Sequence, residues 1–274
     1  MAVLAIARQL AALGDEVAHE LVALTGYRLV DRELLEKRLG DFGITADKRR
    51  KYDEKKPGLW ASLSQERDDY LHFLKTAIYE EAERGDCIVV GRGASAVLKG
   101  LRNLVSLRIV APKALRVTRV MKQFSCDERR GLQLLEQSDH DRYGFQKYFF
   151  SVDWTDPSEY SISLSMDDKL SPADAAAVVD EYRRRIVGPD AEAEGRTRLA
   201  ELVLGQKVVT EIVYGKRLPL HFLETDVHGT RVVLHGVSNT QTAIEAAVGA
   251  ARAVPGVGEV ESAIQVVQEF TVMP

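Results

Sequence analysis

Apolar residues occur along the chain in two rhythms. Residues 3–6 and 87–90 are short continuous apolar runs of strand length, and 104–110 is a further strand, mostly apolar but broken by Ser106 and Arg108. Val17, Leu21 and Leu24, and again Tyr70, Leu74 and Ile78, fall at helical spacing. Strands that are apolar throughout are buried on both faces, so the order β-α-β-α-β-β-α over residues 3–124 predicts a parallel sheet flanked by helices. Residues 27–30 read as a second buried strand and 160–166 as a further one. Helices are predicted over 67–84, over 113–124 behind Pro112, and over 173–185 behind Ser171-Pro172. Between the second strand and the 67–84 helix, residues 41–65 are polar and rich in lysine. They read as a solvated, mobile insertion or as a flap over a substrate.

Past residue 196 the rhythm changes. Helix, strand, strand, helix and strand are predicted over 197–214, 218–227, 230–237, 240–254 and 260–270. His228-Gly229 forms the hairpin connection, and Ser238 or Asn239 can cap the alanine-rich helix that Pro255-Gly256 ends. The polar, acidic stretch 188–196 reads as a linker. It separates a domain over 1–187 from a smaller one over 197–274.

The chemistry gathers at the ends of the predicted strands. In an open parallel sheet, ligands bind outside the carboxyl ends of the strands. The turn Arg8 to Gly14 and the helix cap Asp31 would therefore lie side by side. The turn reads R-Q-L-A-A-L-G-D-E, with one glycine and no lysine, so it departs from the G-x-x-x-x-G-K-[ST] cradle, and Asp15 and Glu16 oppose an anion at the helix start. On spacing alone, an ordinary turn and a phosphate site fit equally well. Arg92, between Gly91 and Gly93 at the end of a buried strand, suits a phosphate or a base edge as well as a solvated turn. Arg116 and Arg119 lie three apart on one helix face, where they either meet one anion or form a charged exterior. Arg142 and Lys147, interleaved with aromatics, fit a phosphate-covering lid or an amphipathic surface helix.

Composition narrows the setting. The 274 residues carry a net charge of −4. Residues 1–194 hold 30 basic and 33 acidic side chains and the remainder 7 and 8, so neither part offers a basic field for nucleic acid. Two cysteines suit a reducing compartment, and no signal-peptide pattern or membrane-length run occurs, so a cytoplasmic protein is expected. No metal-ligand cluster is apparent.

Five motifs in order, R-Q-L-x-x-x-G-D-E-V-A, Y-R-L-V-D-R-E-L-L, I-V-V-G-R-G-A, the arginine-bearing helix, and D-H-D-R…K-Y-F…D-W-T-D-P…Y, resemble the cytidylate kinase-like family of nucleoside monophosphate kinases over residues 3–185. The resemblance implies a P-loop kinase fold. It also implies transfer of a phosphoryl group from ATP, with Mg2+, to a pyrimidine monophosphate such as CMP or dCMP. It puts Arg8, Ala11, Ala12, Leu13, Gly14, Asp31 and Arg92 at the nucleotides, and gives Arg116, Arg119, Arg142 and Lys147 to the phosphates and lid. Where the family carries glycine-serine-glycine-glycine, this chain has Ala11, Ala12, Leu13 and Gly14, and Lys147 stands where arginine is usual. The usual Tyr-Asp strand and Asn-Thr pair are replaced by Tyr160-Ser161 and Ser165-Met166. The loop changes leave a second function open, a nonenzymatic nucleotide sensor. The segment D-V-H-G-T-R-V-V-L-H-G-V with V-P-G-V-G-E-V-E-S-A-I-Q-V resembles a BON domain (αββαβ). That resemblance implies binding of lipid surfaces or small ligands, or association; self-association into an oligomer or control of the first domain is the favoured expectation.

Overall fold

The computed structural model describes residues 1–52 and 65–267, and the chain divides into two units, Met1–Arg196 and Thr197–Pro274. In the first unit, β1 (Val3–Arg8) is the central strand of a parallel sheet with the order β2-β3-β1-β4-β5. The others are β2 (Arg28–Val30), β3 (Cys87–Val90), β4 (Leu104–Val110) and β5 (Ile162–Ser165). Helices α1 (Gly14–Thr25) and α8 (Pro172–Ile186) bury Val17, Leu21 and Val179 in the same core as Leu4, Ile6, Ile88 and Leu107. Each such side chain contributes about 1.5–3 kcal/mol. The register Ile6↔Val90 and Arg8↔Ile109 brings the ends of β1, β3 and β4 to one edge of the sheet.

The structure corrects several expectations. The strand expected to be buried at 27–30 is the edge strand β2, in which only Val30 is buried. With β3 as its only neighbour among the described strands, β2 lets Arg28 reach Glu81 at 3.1 Å. Part of the polar stretch after α2 (Arg32–Asp41) is helical, though most of its side chains are solvated. Thr45 caps α3 (Ala46–Lys51), and Tyr52 is fully buried, its ring 5.0 Å from Tyr70 and 5.7 Å from Phe149. Residues 53–64 of that stretch lie outside the described residues.

After α4 (Gln65–Glu83), β3 does not pass directly to β4, because Gly93 opens the short helix α5 (Ala94–Val97). Following α6 (Lys113–Phe124), residues 128–137 and the aromatic cluster beyond them form one 23-residue helix, α7 (Glu128–Phe150), burying Phe145 and Phe149. The segment read as a linker is helical as well, forming the start of α9 (Pro189–Val209). The Met1 amino group reaches Glu192 at 2.6 Å, and Gly195 lies against the Asn103 side chain, which orders those turns.

In the second unit a π turn (Thr210–Gly215) precedes β6 (Leu220–His228), β7 (Arg231–Ser238), α10 (Gln241–Arg252) and β8 (Glu259–Val266). β6 and β7 are antiparallel, β7 and β8 parallel. Ile212, Val227, Val232, Leu234, Ala247 and Ile264 form the core of this unit. The cap of α10 is Thr240, which accepts from the Ala243 amide at 3.2 Å, rather than Ser238 or Asn239. The Ser238 hydroxyl is taken up by backbone groups of Pro219 and Thr240.

Two stability effects follow. Burial pushes the His72 imidazole down to about 4, assisted by Lys75. Between pH 6.5 and 4 the unfolded chain therefore binds a proton that the folded chain refuses, and stability falls as pH is lowered through that window. Urea midpoints should show His72→Phe to be less sensitive to this acidification by roughly 3 kcal/mol. Gly93 has φ 72°, and a Cβ there would lie 2.1 Å from the Phe150 ring. Gly93→Ala should destabilise the fold by about 2–4 kcal/mol, read as a lower urea midpoint at unchanged slope.

Candidate nucleotide site

Between β1 and α1 the chain makes a turn with two left-handed residues that are not glycine, Ala11 (φ 58°) and Leu13 (φ 63°). Each such residue is disfavoured by about 1–2 kcal/mol, so the surroundings have to hold it. Ala11 packs with Leu10 against Val117, Val120 and Leu135, Leu13 packs on the central core, and Ala12 is fully buried. From α6, Arg116 Nε donates to the Leu10 carbonyl at 2.8 Å and Arg119 donates to the Ala11 carbonyl at 3.2 Å. A glycine-type loop shape is thus maintained by packing on both sides and by two arginines on its carbonyls. Gly14 then opens α1, and a Cβ there would lie 2.5 Å from Arg8 Cβ.

The start of α1 turns the amides of Gly14, Asp15 and Glu16 away from the helix's own ladder, as every helix start does. The Asp15 carboxylate, expected to repel an anion there, is paired with Arg8 Nε at 3.0 Å. Of the two expectations for Arg116 and Arg119, a shared anion or a charged exterior, the exterior is corrected for Arg116, which is buried; both arginines donate to carbonyls of the loop. Arg116 is 3% exposed and fully committed, since its two terminal nitrogens also hold Asp139 of α7 at 2.9 and 2.8 Å. Arg116 thereby joins α7 to the turn.

Arg142 follows Asp139 by one turn of α7 and bonds Ser138. With Arg8, Gly91, Gly93, Ser95, Gln146 and Trp154 it lines a small polar cavity at the edge of the sheet. Arg8 and Arg142 therefore come together, while the Lys147 side chain is exposed and does not line this cavity.

Arg92 (φ 52°) lies between Gly91 (φ 78°) and Gly93 (φ 72°), three left-handed residues in succession. Its guanidinium is neither solvated nor open to the cleft, being 1% exposed. One terminal nitrogen donates to Glu36 at 2.7 Å and the other to the Tyr70 hydroxyl at 3.0 Å. Glu36 also accepts from Arg32 at 2.6 Å. Burial raises its pKa, but the Arg32 hydrogen bond and the Arg92, Arg32 and Arg49 charges outweigh that, and the carboxyl titrates below its ordinary range. Asp31 caps α2 through the Leu34 amide at 2.9 Å. It lines a cleft of about 430 Å³ with Arg8, Asp15, Arg32, Glu33 and Glu36.

Sequence reasoning missed Glu36, Tyr70 and Asp139. Glu36 was open to discovery as the partner four residues beyond Arg32 on a helix capped by Asp31. The other two are recognisable only through contacts distant in the chain.

Residues 3–168 match the cytidylate kinase-like family, and residues 201–268 match the BON domain. No curated protein matches the chain. An uncharacterised protein from Eubacterium ventriosum is similar in structure at 21% identity and a TM-score of 0.53, over 67% of this chain and 99% of that one. TT1252 from Thermus thermophilus (16%, TM-score 0.42, covering 68% and 98%) is more distant. So is shikimate kinase from Bacteroides thetaiotaomicron (10%, 0.42, covering 67% and 97%). The first likeness concerns the fold alone, and the other two carry no weight for function. The parallel sheet, the turn that opens α1 and a match over residues 3–168 lead to one conclusion: the chain belongs to the cytidylate kinase-like family and carries a BON domain behind its kinase-like unit.

Proposed function

We propose that the first unit binds a nucleoside triphosphate at residues 11–14 and transfers its γ-phosphoryl group to a pyrimidine nucleoside monophosphate, CMP or dCMP. The observation that carries this reading is the glycine-type turn at the start of α1, with Arg8 and Arg142 sharing the cavity beside it. Phosphoryl transfer asks mainly for positioning and charge neutralisation. An oxygen of the acceptor's phosphate forms the new bond to the γ-phosphorus while the bond to the β–γ bridging oxygen breaks, and a nucleoside diphosphate leaves. In this reading Arg8 and Arg142 neutralise the charge in transit, and Arg116 and Arg119 keep the loop in shape. Magnesium enters as the ATP complex. It takes oxygen ligands and keeps waters and phosphates around it, so a single carboxylate such as Asp31 suits it.

A second reading, a nucleotide sensor without transfer, draws support from the cations the loop lacks. Arg116 is engaged by Asp139, and Lys147 is outside the cavity. In either case the second unit would serve association or bind a small ligand. Phe222, 85% exposed on the outer strand β6, supports a contact role there.

Phosphorus NMR of the full chain with Mg-ATP and each common monophosphate separates the two. Transfer predicts that one diphosphate grows above a protein-free control. Retained ATP binding with no transfer at high protein concentration would favour the sensor and sink the kinase reading. The double variant Ala11→Gly/Leu13→Gly should bind Mg-ATP several-fold less tightly, because it removes the packing that holds the turn in shape and leaves a looser loop for the triphosphate to order. Unchanged affinity by calorimetry would mean that the triphosphate does not bind at this loop.

A further inference from the structure

We propose that the small cavity at the edge of the sheet seats one oxygen of a phosphoryl group, held by three uncharged donors, Gln146, Trp154 and Ser95, beside the charges of Arg8 and Arg142. This rests on the reading of Arg8 and Arg142 as the cations of the transfer site and names the residues that orient the group they neutralise.

Gln146 is 8% exposed and Trp154 3%, and both line the cavity. The Gln146 amide and the Trp154 indole N–H make no hydrogen bond to any described residue, yet neither is sealed away from solvent. The half-buried Ser95 hydroxyl on the same lining has no partner among the described residues either. A polar group buried without a partner costs about 1–3 kcal/mol. Two such groups at one small cavity point to a partner that comes from outside the chain.

The chemistry of the lining selects that partner. An indole N–H can only donate, and the amide and the hydroxyl can donate beside it, so the ligand presents an acceptor. Arg8 and Arg142 bring two positive charges, and none of the described lining residues is acidic. Asp15, which pairs with Arg8 at 3.0 Å, is not part of the lining. An anionic oxygen meets both requirements. The cavity measures about 20 Å³, room for little more than one water-sized group. A pyrimidine ring stays outside it, and a single phosphoryl oxygen enters.

The donors are set before a ligand arrives. Gln146 follows Arg142 by one turn on the same face of α7, the helix that Arg116 and Asp139 join to the turn before α1. Trp154 is held through its other groups. The Tyr160 hydroxyl donates to its carbonyl at 3.1 Å, and the Arg108 guanidinium lies over its ring at 5.3 Å. Fixed donors of this kind orient a transferring group without reorganisation.

The test uses the full chain with inorganic phosphate, Mg-ATP, CMP and cytidine as probes. Phosphate should move the indole N–H proton resonance of Trp154, assigned by its absence in Trp154→Phe, downfield and saturably. A resonance that none of the three anions moves overturns the proposal. Gln146→Glu keeps the size of the side chain and turns a carboxylate toward the ligand. By titration calorimetry it should weaken phosphate binding about tenfold or more, and Ser95→Ala about threefold, with cytidine unaffected. The nucleotide whose affinity falls together with that of phosphate supplies the oxygen, Mg-ATP if it is the γ-phosphoryl group and CMP if it is the acceptor's phosphate. Phosphate and nucleotide affinities that stay the same in both variants would mean that the cavity holds solvent alone. Should Gln146→Glu fail to fold, Ser95→Ala decides the matter. A protein that forms no diphosphate but loses phosphate affinity in these variants lacks the transfer and keeps the oxyanion site, whereas unimpaired transfer by both variants removes the site and leaves the kinase reading standing.

Discussion

The architecture at the edge of the sheet depends on keeping an unfavourable backbone in place. The turn from β1 into α1 needs left-handed residues, and the chain supplies alanine and leucine where glycine would enter freely. The opposing strain is on the order of 2–4 kcal/mol for the pair, comparable with the burial of one or two aliphatic side chains. Packing of Ala11 toward α6 and α7, packing of Leu13 on the central core, and two arginine hydrogen bonds to the loop carbonyls together oppose it. The shape of the loop is thus a tertiary property.

Because Arg116 also holds Asp139 through both terminal nitrogens, the helix carrying Arg142 is referenced to the same turn. Loss of Asp139 would leave the Arg116 charge buried without its carboxylate, which is costly. Arg8 connects to the same assembly through Asp15 and through its contact over Gly14. Three elements far apart in sequence are therefore positioned against one another by a few charged groups.

Much of the fold was legible in the sequence, and the reasons are local. A continuous apolar run gave β3 and a mostly apolar one β4 at their observed limits, Pro112 marked the start of α6, and the change of rhythm past residue 196 announced the small three-stranded sheet. The misreadings share a cause. The isolation of β2 at the edge, the burial of Tyr52 in a lysine-rich stretch and the helical start of α9 all depend on contacts that periodicity does not encode. The candidate site divides in the same way. Arg8, Asp31 and the turn follow from strand order, but Arg92 and Arg116 have partners, Glu36, Tyr70 and Asp139, that lie 22 to 56 residues away.

Tyr52 has a consequence of a different sort. Its burial against Tyr70 and Phe149 fixes the chain at the end of α3, and Lys51 meets Glu66 of α4 at 2.9 Å. The chain therefore leaves and re-enters this part of the fold at one place. Tyr52 is thereby linked through the Tyr70 ring to the hydroxyl that meets Arg92, so the order of α3 and the placing of that guanidinium rest on one aromatic cluster.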